Sequence, residues 1–294
     1  LHFPNSPDFR NEFLVHSPAL IFANDKRIGA NTRACGNMNE PRRIESGWAS
    51  AGGIPSKDNT GEQMSDRQRQ IYQTDGDRYE ALIAREDHQG NLLKALEEIV
   101  NPDGLDILDL GAGTGRLAVM LTPRAGSVRA FDLSEEMLRV CRQRLETGGL
   151  TNWKVQTADH RQLPISDHSA DLAVSGWSVS YLAVWNPASW REELEKWMTE
   201  MKRVLRKGSF IVLFESLGTG NESPIRLEHL REFYLWLDEV GFQNRWIRTD
   251  YKFESLEEAE ELSRFFFGNE LGNKVRANGW VILPECTGVW WLKI

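Results

Sequence analysis

The residues of this chain that could do chemistry gather in one short run, Ile107-Leu108-Asp109-Leu110-Gly111-Ala112-Gly113-Thr114-Gly115. An apolar strand ends in an acid, a turn with glycine at alternate positions follows, and helix-forming residues resume from Arg116 to Leu121. Glycines let backbone approach a ligand closely at the carboxyl end of a strand. Two more acids, Asp132 and Asp159, stand at the ends of the next two strand-like runs. One carboxylate can accept both hydrogen bonds of a ribose diol, and another can accept from an adenine amine. Together they outline a nucleoside-containing cofactor. The spacing is G-x-G-x-G, with Arg116 where the dinucleotide fingerprint requires glycine, and no Gly-Lys-Ser/Thr follows to make a phosphate loop.

An alternation of elements must position these groups. Strands are expected over 105–110, 127–132, 153–158, 171–176 and 209–215, with helices over 114–122, 134–147 and 190–206. Ser189 with Glu192 reads as a capping box for the last of these. Ser223-Pro224 reads as the opening of a helix over 224–240 that Gly241 closes. A strand around 244–253, a helix opened by Ser255 with Glu258, and a final strand Val289–Ile294 complete the pattern. The expected fold is α/β: a Rossmann-like doubly wound sheet of seven strands, mostly parallel with an antiparallel terminal strand, and helices on both faces. Upstream, Ser65 with Gln68 reads as a capping box, and helical pattern continues with interruption to Val100, where Asn101-Pro102-Asp103-Gly104 stops it.

Residues 1–63 read differently. They are rich in Asn, Gly, Pro and Ser and show no sustained period, which suggests a disordered tail or upstream sequence read in from a wrong start, with Met64 or Met38 as the true one. The domain then spans 64–294, with 64–104 as an N-terminal helical cap and 255–284 as an insertion or lid between the last two strands. Net charge is -8, which argues against a nucleic-acid or anionic-membrane partner. The cysteines at 35, 141 and 286 are scattered, so neither a metal site nor a disulfide framework is expected, and a reducing, cytoplasmic setting is the simplest reading. The apolar stretch from Phe13 to Ala23 is too short to span a bilayer.

The ordered set of motifs resembles the class I S-adenosylmethionine-dependent methyltransferases, of the small-molecule type met in quinone biosynthesis. The resemblance covers roughly 70–294 and is carried by Leu108–Gly115, Phe131-Asp132-Leu133-Ser134, Ala158-Asp159-His160, Asp171–Ser175 and Glu200–Ser209. It implies S-adenosylmethionine as cofactor. Gly111, Gly113 and Gly115 would shape the loop under the methionine part, with Asp109 ordering backbone or water beneath it. Asp132 would hold the ribose and Leu133 pack on adenine. Asp159 would bond the adenine amine beside the His160 backbone, and Ser175 would meet the methionine end through its own backbone.

A sulfonium methyl is already activated, so the protein need mainly align a nucleophile and exclude water. A base is needed only where the nucleophile must lose a proton, and His160 is the weak candidate for it. The acceptor is expected after the fourth strand, near Trp177 and Tyr181, with Tyr72 and Tyr79 closing over the cofactor and Glu215 at the same edge of the sheet. The Asn/Asp-Pro-Pro-aromatic tetrad of enzymes that methylate a flipped base is missing there, which argues against DNA. The expectation is methyl transfer to a small molecule. The alternatives are a cofactor-binding module without catalysis, a protein or RNA methyltransferase, and, more distantly, a dehydrogenase.

Overall fold

In the computed structural model, which describes residues 60–294, strands and helices alternate as expected and build one seven-stranded sheet. Its strands are β1 (Asp106–Leu110), β2 (Ser127–Asp132), β3 (Trp153–Thr157), β4 (Ala170–Gly176), β5 (Leu205–Thr219), β6 (Gln243–Arg248) and β9 (Glu285–Lys293). They lie in the order β3-β2-β1-β4-β5-β9-β6. The first five run parallel, and β9 is antiparallel to both β5 and β6. The remaining strands, β7 (Tyr251–Lys252) and β8 (Ile282–Leu283), pair with each other as a separate ribbon.

Both faces of the sheet are covered, which is why its parallel strands read as near-continuous apolar runs. Side chains alternate between two cores. Leu108, Ala173, Ile211 and Leu213 pack on one face with Trp197 and Met201 of α7 (Trp190–Val204) and with Phe233 and Leu237 of α8 (Arg231–Val240). Ile107, Leu172, Val174, Val212 and Phe214 pack on the other with α4 (Arg116–Leu121) and α5 (Glu135–Thr147).

A third core joins the N-terminal helices to the segment between residues 251 and 283. Ile71, Leu82 and Ile83, from α1 (Thr60–Thr74) and α2 (Gly76–Ile83), meet Tyr251, Phe253, Leu262, Phe265 and Phe266. The last three belong to α9 (Leu256–Phe267), which is followed by α10 (Asn269–Asn278). The phenylalanines of the 255–284 insertion therefore pack on the N-terminal cap and the β7–β8 ribbon, not on the main sheet. Arg67 strengthens this junction by donating to the carbonyls of Arg264 (3.0 Å) and Phe265 (2.6 Å).

Several local expectations change. Helix α1 begins at Thr60, so position 65 lies inside it and not at its start. Ser189 does stand at the N-cap of α7, but its side chain makes no capping bond. Ser255 behaves as read, accepting from the Glu258 N–H at 3.1 Å, while the Glu258 carboxylate reaches back to the Glu254 N–H at 2.7 Å. Residues 224–227 are not helical. The Ile225 N–H bonds to the Leu217 carbonyl at 2.7 Å, which holds the chain along the end of β5, and α8 starts only at Arg231. The strand expected over 244–253 divides at 249–250, where the chain leaves the main sheet for the ribbon. The expected N-terminal extension lies outside the described residues up to residue 59.

Gly115 has φ +86°, and a Cβ built there would meet Cys141 Sγ of α5 at 2.6 Å. Left-handed backbone and overpacking both penalise a side chain, so Gly115→Ala should lower unfolding free energy by about 2–4 kcal/mol. Urea denaturation checks this as a lower midpoint with an unchanged slope.

Candidate functional site

The glycine turn is pinned at both ends by carboxylates. Asp109, buried at the end of β1, accepts the Ala118 N–H of the first turn of α4 at 2.8 Å. Asp132, at the end of β2, accepts the Gly113 N–H at 2.9 Å through Oδ2 and the Ser134 N–H at 2.8 Å through Oδ1. The Ala112 N–H adds a bond to the Phe131 carbonyl at 2.9 Å. Gly111, Gly113 and Gly115 all take positive φ, 66°, 55° and 86°, which no larger residue adopts cheaply.

A nucleoside fits these residues. Each Asp132 oxygen has accepted one backbone N–H and keeps a further lone pair, enough for a ribose diol. Beside it Leu133 is 63% exposed, the most exposed large hydrophobic among the described residues and an apolar platform for a base. Ser134 caps α5, accepting from the Met137 N–H at 3.2 Å, and donates to the Tyr72 carbonyl at 2.5 Å. The end of β2 is thereby tied to α1.

Beyond β3, Asp159 is gripped by Arg161, whose Nε and Nη2 lie 2.9 and 2.5 Å from its two oxygens. Burial works to raise this carboxyl, and the Arg161 bonds outweigh it and hold it low. His160 Nδ1 is buried without a hydrogen-bond partner, and burial pushes the imidazole down to about 4, so it is neutral near pH 7. The Ser175 hydroxyl donates to the Leu110 carbonyl at 2.9 Å, so its side chain ties β4 to β1.

After β4 the chain turns sharply, with Trp177 at φ +53° and its N–H on the Phe214 carbonyl at 2.7 Å. Ser178 presses on the glycine turn so closely that a Cβ at Gly111 would come within 1.8 Å of its Oγ. The Tyr181 hydroxyl, on α6 (Ser180–Val184), meets that of Tyr72 at 3.0 Å. Tyr79 stands edge-on to Tyr72 (5.4 Å between centroids) and close to Phe266 (5.3 Å). The structure thus brings Tyr72, Tyr79 and Tyr181 together as one aromatic cluster. Trp177 lies apart from them under the Arg116 guanidinium, 4.2 Å from its ring centroid. Glu215 is taken up by α6, accepting from Ser180 N–H (3.1 Å) and Oγ (2.8 Å), and burial raises its carboxyl to about 7.

Sequence reasoning passed over a second group at this edge. Arg116 forms an ion pair with Glu86 at 2.7 Å in the interior. Glu86 is held in place by backbone bonds of its neighbours, Asp87 N–H to the Thr249 carbonyl (3.2 Å) and Lys252 N–H to the Arg85 carbonyl (2.8 Å). Glu285, at the start of β9, is 2% exposed and accepts from Ser216 Oγ at 2.8 Å. The available signal was Arg116 itself: a cation in the first turn of a helix is disfavoured by the helix dipole and needs an acid nearby. Among the described residues no cluster of His, Cys, Asp and Glu suits a metal ion, and no helix is long and apolar enough to cross a membrane.

Strand order and the pinned turn after β1 define a Rossmann-like α/β fold. Residues 107–208 match a family described as a methyltransferase domain. The chain is similar to a malonyl-[acyl-carrier protein] O-methyltransferase of Methylococcus capsulatus, 30% identical over 51% of this chain and 50% of the relative. It is also similar to a phosphatidylethanolamine N-methyltransferase of Cereibacter sphaeroides, 34% identical over 39% of this chain and 52% of the relative. Among solved structures it is similar in fold to a phosphoethanolamine N-methyltransferase 2 of Haemonchus contortus. There the TM-score is 0.52 at 16% identity, covering 79% of this chain and 60% of that one. The chain spans about half the length of the curated relatives it matches.

Burial raises the Asp109 carboxyl from its ordinary 3.8 to about 7, against the Ala118 N–H and helped by Asp132. The folded state then holds a proton that the unfolded chain releases, so this group's contribution to stability falls as pH rises from about 4 to about 7. Asp109→Asn keeps an oxygen for Ala118 and should remove that slope. Denaturation curves of both proteins across this range check it through their difference in stability, which should shift towards the variant as pH rises.

Proposed function

We propose that this protein transfers a methyl group from S-adenosylmethionine to a small-molecule acceptor and releases S-adenosylhomocysteine. The observation that carries the reading is the Asp132 carboxylate, oriented by the Gly113 and Ser134 N–H groups beside exposed Leu133. When bound, the cofactor supplies a methyl group already activated by its sulfonium. Asp132 holds the ribose, Leu133 lies against the adenine, and Asp159, kept ionised by Arg161, accepts from the adenine amine. The turn at Gly111 to Gly115 supports the methionine end, with the Ser175 backbone opposite. Tyr72, Tyr79 and Tyr181 close over the cleft and keep water from the transferring group, which leaves orientation as the main catalytic work.

In this reading residues 64–104 are a helical cap and 255–284 its cover, meeting through the third core. Neutral His160 sits at the adenine end, where it serves the cofactor and not the acceptor. The relatives do not agree on the accepting atom: their names place the methyl on oxygen in one and on nitrogen in another. The acceptor must therefore be read from this chain's own residues.

Calorimetric titration with S-adenosylmethionine and S-adenosylhomocysteine tests the reading, and a folded sample that binds neither overturns it. Asp132→Ala should weaken binding by about 1–3 kcal/mol, roughly 5- to 150-fold. A urea midpoint measured on the same variant separates that loss from unfolding. Transfer of labelled methyl to a fraction of cell extract distinguishes an enzyme from a module that only binds.

A further inference from the structure

A polar cluster next to Tyr79 lies outside the residues assigned above to the cofactor. Glu285 is 2% exposed, its Oε1 accepts from Ser216 Oγ at 2.8 Å, and its Oε2 has no hydrogen-bond partner. Glu86, whose side chain is 2% exposed, interacts with it electrostatically. The nearby cation, Arg116, acts on both acids electrostatically but is already paired with Glu86 at 2.7 Å and lies over the Trp177 ring. Two buried carboxylates share one cation, so one negative charge is left without a partner. Burying such a charge is costly unless a proton or a positive group joins it.

Aromatic rings complete the surroundings. Tyr251 stands next to Glu86 and Glu285, and Tyr79 next to Arg116 and Glu86. The Tyr79 ring also reaches the glycine turn, 4.0 Å from where a Cβ on Gly113 would lie. The cluster is therefore continuous with the cofactor edge. A carboxylate oxygen lacking a donor, set among aromatic faces, is the surrounding that an alkylammonium group finds favourable.

We propose that this cluster recognises an ammonium group on the methyl acceptor, with Glu285 Oε2 as its hydrogen-bond partner. The identity of the ligand as acceptor rests on the methyltransferase reading, whereas the amine site itself does not. Burial, with Glu86 adding to it, raises the Glu285 carboxyl to about 8, so the free protein carries a proton there near pH 7. An arriving ammonium group replaces that proton, and binding releases it to solvent.

The test is titration of the protein, saturated with S-adenosylhomocysteine, with methylamine, ethanolamine and 2-phenylethylamine, and with 2-phenylethanol and phenylacetate as neutral and anionic counterparts. Calorimetry at pH 7 in two buffers of different ionisation heat counts the protons released. At least one amine should bind tenfold or more tightly than both counterparts and release a proton. Glu285→Gln should abolish that preference and leave S-adenosylhomocysteine affinity within twofold. Ser216→Ala, which leaves Oε2 intact, should retain the preference. The proposal is overturned if no amine binds, if 2-phenylethanol binds as well as 2-phenylethylamine, or if the preference survives in Glu285→Gln. Proton release in the wild type decides the matter even where Glu285→Gln does not fold. Failure to bind S-adenosylhomocysteine overturns the methyltransferase reading instead, and the same amine titration on cofactor-free protein then decides this one.

Discussion

The rest of the structure depends on two carboxylates holding one glycine turn. Asp109 grips the start of α4 and Asp132 grips the middle of the turn, so a flexible run of glycines becomes a fixed cradle. Neither bond is available without the parallel sheet, because each acid reaches the turn from the end of its own strand. The arrangement carries tension. Burial disfavours both charges, and the two acids also repel each other, so cofactor geometry is maintained at a cost to the stability of the ionised form. A cationic group arriving above the turn would relieve part of that cost, which suits a site for a sulfonium cofactor.

Most of the fold was legible because the sheet obeys local rules. Ile107 and Leu108, or Val212 and Leu213, face opposite cores, and with both cores apolar the strands stand out as unbroken runs. Asp109 and Asp132 were legible because each stands at the end of a strand, whereas Asp159 follows the last residue of β3 by two positions. What escaped depends on partners distant in sequence. Ser223-Pro224 carries a helix-opening signal, yet the chain there is captured by the end of β5 through Leu217. Ser65 carries a capping signal within a helix that had already begun. In both cases tertiary or neighbouring context overrode a weak local preference.

The acceptor side was the least legible part. Trp177, Tyr181 and Glu215 drew attention by type and position, but only the structure shows that they do different things. Tyr181 joins Tyr72, Trp177 supports Arg116, and Glu215 anchors α6. Glu86 and Glu285 sit at sequence positions that no motif marks, and their meeting depends on two crossings of the chain. The Ser134 bond to the Tyr72 carbonyl shows how closely the tyrosines and the end of β2 are linked, since one side chain both caps α5 and fixes the helix that carries Tyr72.

The backbone bonds between residues 85–88 and 249–252 have a consequence for how the molecule comes into being. The cap is made early, yet the partner of its Glu86, Thr249, lies 163 residues downstream. During synthesis the first helices emerge with their apolar faces uncovered and must wait for nearly the whole sheet to be built. The element that begins the domain is thus among the last to be secured, and it is secured by the stretch that leads into its own cover. Docking of the cap thus follows assembly of the strands that precede residue 249, so a form of this domain with its sheet built and its cap still loose is a natural intermediate.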